Sequence, residues 1–122
     1  MIESVVHMFS GGDDNAVHLV ELAVTSDVTC KLLASVLDAH ASTVTGVLSL
    51  GEAKFLSVGI DQNIRFWKFD GASLRCLCKV YTFVPDVGGV VEIDVEIGVQ
   101  ERKRSFVVFG TGMELISWED RE

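Results

Sequence analysis

Residues 39–70 read AHASTVTGVLSLGEAKFLSVGIDQNIRFWKFD, and this stretch decides the fold. It holds three short apolar runs, Val44 to Leu50, Lys54 to Gly59 and Asn63 to Phe69, each ended by a tight polar break. The runs are apolar on both faces, as expected of strands in sheets packed between neighbouring layers. Four polar residues interrupt them, His40, Ser57, Asp61 and Trp67, at spacings of 17, 4 and 6 residues. An indole N–H only donates, a carboxylate only accepts, and a hydroxyl and a neutral imidazole each do both. A chain of bonds running from Trp67 to Ser57 to His40 to Asp61 therefore leaves no partner missing. That matters because one unsatisfied buried group costs about 1–3 kcal/mol. The quartet reads as a structural clamp. Ser, His and Asp also make a hydrolytic triad, but a triad needs an exposed nucleophile, and Ser57 sits inside Phe55-Leu56-Ser57-Val58 with no G-x-S-x-G elbow.

The order and spacing of these four residues resemble the WD-repeat family, in which each unit forms one four-stranded blade of a propeller. The rest of the chain holds shifted copies of the unit. SGGDDNAVHLVEL (Ser10 to Leu22) aligns with SVGIDQNIRFWKF (Ser57 to Phe69) at an offset of 47, matching Ser10 to Ser57, Gly12 to Gly59, Asp14 to Asp61 and Val17 to Ile64, with Val20 at the Trp position. A weaker copy, VFGTGMELISWED (Val108 to Asp120), aligns at an offset of 51. It keeps Gly110, Leu115 and Trp118 but has Val91, Val108 and Gly112 at the His, Ser and Asp positions, so its clamp is broken. Repeats of this length mark propeller blades. The fold expected is all-β: a partial WD-repeat propeller of about two and a half blades, with an incomplete blade over 1–37, a complete one over 38–81 and a final incomplete one over 82–122. Further strands are expected over Glu3 to Ser10, Ala16 to Leu22, Thr29 to Leu37, Leu74 to Tyr81, Gly89 to Ile97, Ser105 to Gly110 and Glu114 to Trp118. In Gly89 to Ile97, Val91, Ile93, Val95 and Ile97 alternate with Glu92, Asp94 and Glu96, the period-two signature of a strand. The first copy has no room for its own His, so the chain is expected to begin inside a blade, as a C-terminal fragment of a longer propeller. Open strand edges of such a piece are expected to associate.

The 122 residues are 48% hydrophobic with a formal net charge of −8. That balance speaks against nonspecific nucleic-acid binding, which rests on clustered Lys and Arg neutralising phosphates. Three cysteines, Cys30, Cys76 and Cys78, are too few and too irregularly placed for a disulfide framework. With no basic region followed by a long apolar core at the N-terminus, they favour a reducing, cytoplasmic setting. No apolar run approaches the roughly 18 residues of a spanning helix.

Gly12-Asp13-Asp14 has the look of a metal-binding turn, but its alignment with Gly59-Ile60-Asp61 makes it a blade turn. Cys76 and Cys78 fall on one face of a strand and lack the two further ligands of a zinc site. Glu92, Asp94 and Glu96 read as a solvated strand face, and His18 as outward surface. Arg102-Lys103-Arg104 is the only dense basic cluster. It reads as a solvated hairpin loop, with a phosphate or a partner protein as its functional candidates. Neither a cofactor nor a metal is expected, and no residue is assigned a catalytic role.

A narrower resemblance covers nearly the whole chain. SGGDDNAVHLVELAV, AHASTVTGV, SVGIDQNIRFW, the VPDV of Val84 to Val87 and the terminal GTGMELISWED together resemble the C-terminal end of the WD-repeat regulatory subunits of the eukaryotic tRNA wobble-position ribose 2′-O-methyltransferase. This chain departs from that pattern after its Asp-Gln pair, where it has Asn63 in place of the family's Arg, which removes a basic contact from that turn. The resemblance implies a non-catalytic scaffold that binds an S-adenosylmethionine-dependent methyltransferase subunit, meets tRNA indirectly through the complex, and continues in a longer propeller chain. The other class in play is a generic WD-repeat interaction module in trafficking or signalling, because one fold serves many functions.

Overall fold

The computed structural model describes residues 4–93 and 103–119. Among them ten strands form three antiparallel sheets. Strands β1 (Ser4–Gly11), β2 (Val17–Val24) and β3 (Val28–Val36) form the first, in that order. The middle sheet takes β4 (Val44–Gly51), β5 (Lys54–Gly59), β6 (Asn63–Phe69) and β7 (Leu74–Tyr81), again in chain order. Strands β8 (Gly89–Ile93), β9 (Lys103–Gly110) and β10 (Gly112–Glu119) form the third.

The three sheets stack face to face with the middle one inside. Alternation along its strands sends side chains to two cores. Leu56 and Val58 of β5 and Ile64 and Phe66 of β6 join Val84, Val87, Val90, Phe106, Val108 and Ile116 against the third sheet. Phe55 and Trp67 point the other way, to Val17, Leu19, Ala39 and Val44 against the first. Every residue of β5 is buried, Lys54 and Ser57 among them, which is why apolar side chains occupy both of its faces. Aromatic rings bridge both gaps. Phe9 stacks on Phe55 with centroids 4.8 Å apart, while Phe66 stacks on Trp118 at 4.3 Å and meets Phe106 edge-on at 5.8 Å. Such pairs add about 0.5–1.5 kcal/mol beyond the area they bury.

The outer sheets are covered on one side only. Val6, Met8, Val28 and Leu32 of the first sheet and Val91, Phe109, Met113 and Leu115 of the third are exposed, so packing on both faces is a property of the middle sheet.

The repeat is visible in backbone geometry as well as sequence. Asn15 and Gln62, 47 positions apart, both adopt the left-handed conformation, with φ of 65° and 63°. The Asn15 N–H donates to Gly12 O at 3.3 Å, as the Gln62 N–H donates to Gly59 O at 3.1 Å. The Ala16 N–H reaches Asp14 Oδ1 at 3.2 Å, as the Asn63 N–H reaches Asp61 Oδ1 at 3.1 Å. Gly12-Asp13-Asp14 is thus the same turn as Gly59-Ile60-Asp61.

Three details differ from the regular pattern. A bulge in β7 pairs Trp67 with Cys76 and Phe66 with Cys78 and leaves Leu77 as the extra residue. Cys76 is therefore exposed while Cys78 packs partly against the core, and strict alternation across the two cysteines fails. Lys103 and Arg104 open β9 instead of lying in a loop; Arg102 lies outside the described residues. The alternating segment is described as β8 up to Ile93, with Asp94, Val95, Glu96 and Ile97 outside the described residues.

Candidate functional site

His40, Ser57, Asp61 and Trp67 meet on the face of the middle sheet that looks toward the first. The Trp67 indole Nε1–H donates to Ser57 Oγ at 2.8 Å. Ser57 Oγ lies 2.8 Å from His40 Nε2, and His40 Nδ1 lies 3.0 and 3.1 Å from the two Asp61 oxygens. Since a carboxylate can only accept, His40 carries its proton on Nδ1 and Ser57 donates to Nε2. Each element sets one member: the connection between β3 and β4 supplies His40, the middle of β5 Ser57, the turn into β6 Asp61, and β6 itself Trp67.

Asp61 receives three further bonds, from the Ala41 N–H at 2.8 Å, the Asn63 N–H at 3.1 Å and Asn63 Nδ2 at 3.1 Å. Burial alone would raise its pKa, but bonds from His40, Ala41 and Asn63 outweigh it and hold the carboxyl at about 2. The His40 ring is lowered, first by burial and also by the Arg65 charge, against the opposing pull of Asp61. The imidazole is consequently neutral at pH 7, the form the bond direction needs. Side-chain exposure is 0% for His40 and 6% for Asp61.

The order Ser Oγ, His Nε2, His Nδ1, Asp is that of a hydrolytic triad. Chemistry is nevertheless blocked on geometric grounds. Ser57 is fully buried inside β5, and its oxygen is already taken by the Trp67 indole, so a scissile carbonyl has no approach. What the four groups can do is fix the turn, the loop and two strands to one another.

Outside this cluster the sequence concealed three arrangements. His18 is tied to Ser35 Oγ at 2.8 Å and to Asp14 Oδ2 at 3.4 Å, so the first sheet carries a reduced, exposed relative of the clamp. Asp14 is lowered first by the Ala16 N–H and then by His18. Gln62 donates its side-chain amide to Thr82 O at 3.4 Å and Val84 O at 3.2 Å. Val84 and Val87 are buried, and Val87 O accepts from Thr45 Oγ1 at 2.7 Å. Asp61-Gln62, Thr45 and the VPDV segment are therefore one interlocked structure, which gives a physical reason for those motifs to travel together.

The basic cluster is also engaged. Arg104 makes a two-pronged pair with Glu92, Nε to Oε2 at 2.6 Å and Nη2 to Oε1 at 2.8 Å, and its Nη1 donates to Leu50 O in the middle sheet at 2.6 Å. Glu92 is exposed, and it is also part of an inter-sheet pin. Lys103 is exposed. Among the described residues no group of three His, Cys, Asp or Glu side chains could hold a metal ion.

No family model matches the chain. It is similar to two curated proteins, each named tRNA (34-2'-O)-methyltransferase regulator WDR6, from Rattus norvegicus and Mus musculus. Identity is 29% over 125 residues in both cases, covering 91% of this chain and 11% of each relative. The chain thus spans about a ninth of the length of the curated relatives it matches. Its repeated turn, its Trp-Ser-His-Asp cluster and its three stacked antiparallel sheets make it an all-β chain consistent with partial WD-repeat propeller blades, similar to the WDR6 regulators.

Proposed function

We propose that the chain acts as a non-catalytic WD-repeat scaffold in the regulation of tRNA wobble-position ribose 2′-O-methylation, holding a methyltransferase catalytic subunit in the cytoplasm while that partner modifies the ribose. The observation that carries this reading is the similarity to the WDR6 regulators across 91% of the chain. It runs through SVGIDQNIRFW and VPDV, the segments that Gln62 joins. The relatives are named as regulators of the enzyme, and the Ser57-His40-Asp61 set is buried and committed to structure. With a net charge of −8 and Arg104 bound to Glu92, the chain is poorly suited to gripping RNA alone. Contact with tRNA runs through the partner.

The test is co-purification of the intact gene product with a methyltransferase, together with mass measurement of ribose methylation at the wobble position of tRNA from cells lacking it. Capture of the methyltransferase and loss of the methyl group are expected. Unchanged methylation overturns the reading.

A further inference from the structure

We propose that two copies of this chain stack head to tail through the outer faces of their end sheets and close a ring of six sheets, three from each copy. The inference goes beyond the tRNA reading and stands without it.

The repeat gives every sheet a front and a back. On the middle sheet Phe55 and Trp67 lie on the front, toward the first sheet. Leu56, Val58, Ile64 and Phe66 lie on the back, toward the third. At the offset of 47 residues, Met8 and Val20 of the first sheet stand at the front positions of Phe55 and Trp67, and Phe9, Val17 and Leu19 at the back positions of Leu56, Ile64 and Phe66. At the offset of 51, Phe106 and Trp118 of the third sheet take those same front positions, and Phe109 and Leu115 the back positions of Val58 and Ile64. The packing follows this polarity at both gaps. Phe9 on the back of the first sheet stacks on Phe55 on the front of the middle one, and Phe66 on the back of the middle sheet meets Phe106 and Trp118 on the front of the third. One kind of back-to-front junction is therefore used twice. The front of the first sheet and the back of the third are left over, and they are the two surfaces that such a junction joins.

Both leftover faces are apolar and open. Strand register sets Met8, Val20 and Leu32 in one row across the first sheet, with Met8 48% and Leu32 60% exposed. It sets Leu115, Val107 and Val91 in one row across the third and places Met113 beside Phe109, with Met113 69% and Leu115 61% exposed. Among the described residues no Asp, Glu, Lys or Arg stands on the first face, and on the second only Lys103 and Glu119 do, paired at its margin. In a chain with 10 Lys and Arg and 18 Asp and Glu, two faces so free of charge fit burial against each other, because such patches mark association sites. Being at opposite ends of one stack, the faces cannot meet within a single copy. Three sheets are also fewer than the four to eight blades of a closed propeller, whereas two copies supply six. A contact between two different surfaces forms a ring where its rotation closes and a filament where it does not. Six sheets lie inside the range that closes.

The test is sedimentation of the whole chain over a concentration series, with two variants and their mixture. The mass of the wild type is expected to level off at twice the 13.3 kDa of one chain. One variant carries Met8→Lys and Leu32→Lys on the first sheet; the other carries Met113→Glu and Leu115→Glu on the third. All four positions are exposed, and thermal melting establishes that both variants fold. Alone, each must bury unpaired charge at both junctions, and its self-association is expected to weaken about tenfold or more. Mixed, the two recover the two-copy species, since one junction is then wild type and the other sets Lys against Glu. Leu32→Ser and Leu115→Ser, milder changes on the same faces, weaken self-association in the same direction. Pairing of like faces would leave one variant able to pair with itself, and that result overturns the proposal. A mass that grows past two copies overturns it, as does a mixture that recovers nothing. So does a monomer at every concentration, the result if further repeats of a longer chain cover these faces instead.

Discussion

A neutral His40 is what lets the bonds of the middle sheet run in one direction. Protonation would place a second donor on Nε2, so Ser57 Oγ would face donors from both Trp67 and His40 while its own proton lost its acceptor. The folded state therefore resists protonating this ring. Its folded pKa lies below the 6.5 of an exposed His, so its contribution to stability is complete above that value and is lost as the pH falls below it. Asp61 acts the same way lower down, with stability present above 3.8 and lost as the pH falls toward about 2. Urea midpoints of the wild type are expected to drop between about pH 7 and pH 5, and those of His40→Gln to change less. Identical pH slopes would show that the ring is not buried in this way. Asp61→Ala orphans the donors on His40, Ala41 and Asn63, and Ser57→Ala removes the link between indole and imidazole. Each is expected to cost about 1–3 kcal/mol in denaturant unfolding. Trp67→Phe keeps the ring packing and loses one bond, about 1 kcal/mol.

Between sheets, close approach and one ion pair decide the geometry. At Gly46 an added Cβ would stand 3.0 Å from Gly89 Cα and 3.0 Å from Val58 Cγ2, so β4 and β8 meet there backbone to backbone. Gly46→Ala is expected to destabilise by about 1–3 kcal/mol through overpacking, measurable as a lower melting temperature. Arg104→Met, which keeps the stem and loses the fork, removes the bonds to Glu92 and Leu50 O. A cost of about 0.5–2 kcal/mol is expected for this half-exposed pin, and an unchanged midpoint would show that the pin is idle. Strand positions were legible in the sequence because short apolar runs and polar turns alternate so regularly: β5, β6 and β7 run over the segments expected of them. The bulge at Leu77 was not, because period-two reasoning assumes an unbroken ladder and one extra residue reverses it. The Arg104 pin was also invisible, since Glu92 and Leu50 lie 12 and 54 positions away and a basic run carries no mark of its partners. The His40, Ser57, Asp61 and Trp67 positions could be singled out because the donor and acceptor types close on themselves. His18, a lone imidazole in a strand, gave no such cue, and its bonds to Asp14 and Ser35 emerged only with the fold.

Taken whole, the molecule is a sandwich whose middle is sealed and whose outer layers are open. Val6, Met8 and Leu32 on one flank and Phe109, Met113 and Leu115 on the other are left in water. Apolar faces of this extent favour association, and sedimentation of the chain is expected to show mass rising with concentration; a monomer at every concentration would contradict this. The central claim is that stability radiates from the middle sheet, where β5 and β6 are covered on both faces and bolted by the Trp67 to Asp61 chain. Residue-resolved hydrogen exchange tests that claim directly, because opening energies differ across a structure and the slowest sites report the most stable unit. The amides of β5 and β6 and the Trp67 indole N–H are expected to exchange last, and those of β1, β3 and β10 first. A Trp67 indole that exchanges as fast as the β1 amides would contradict the account.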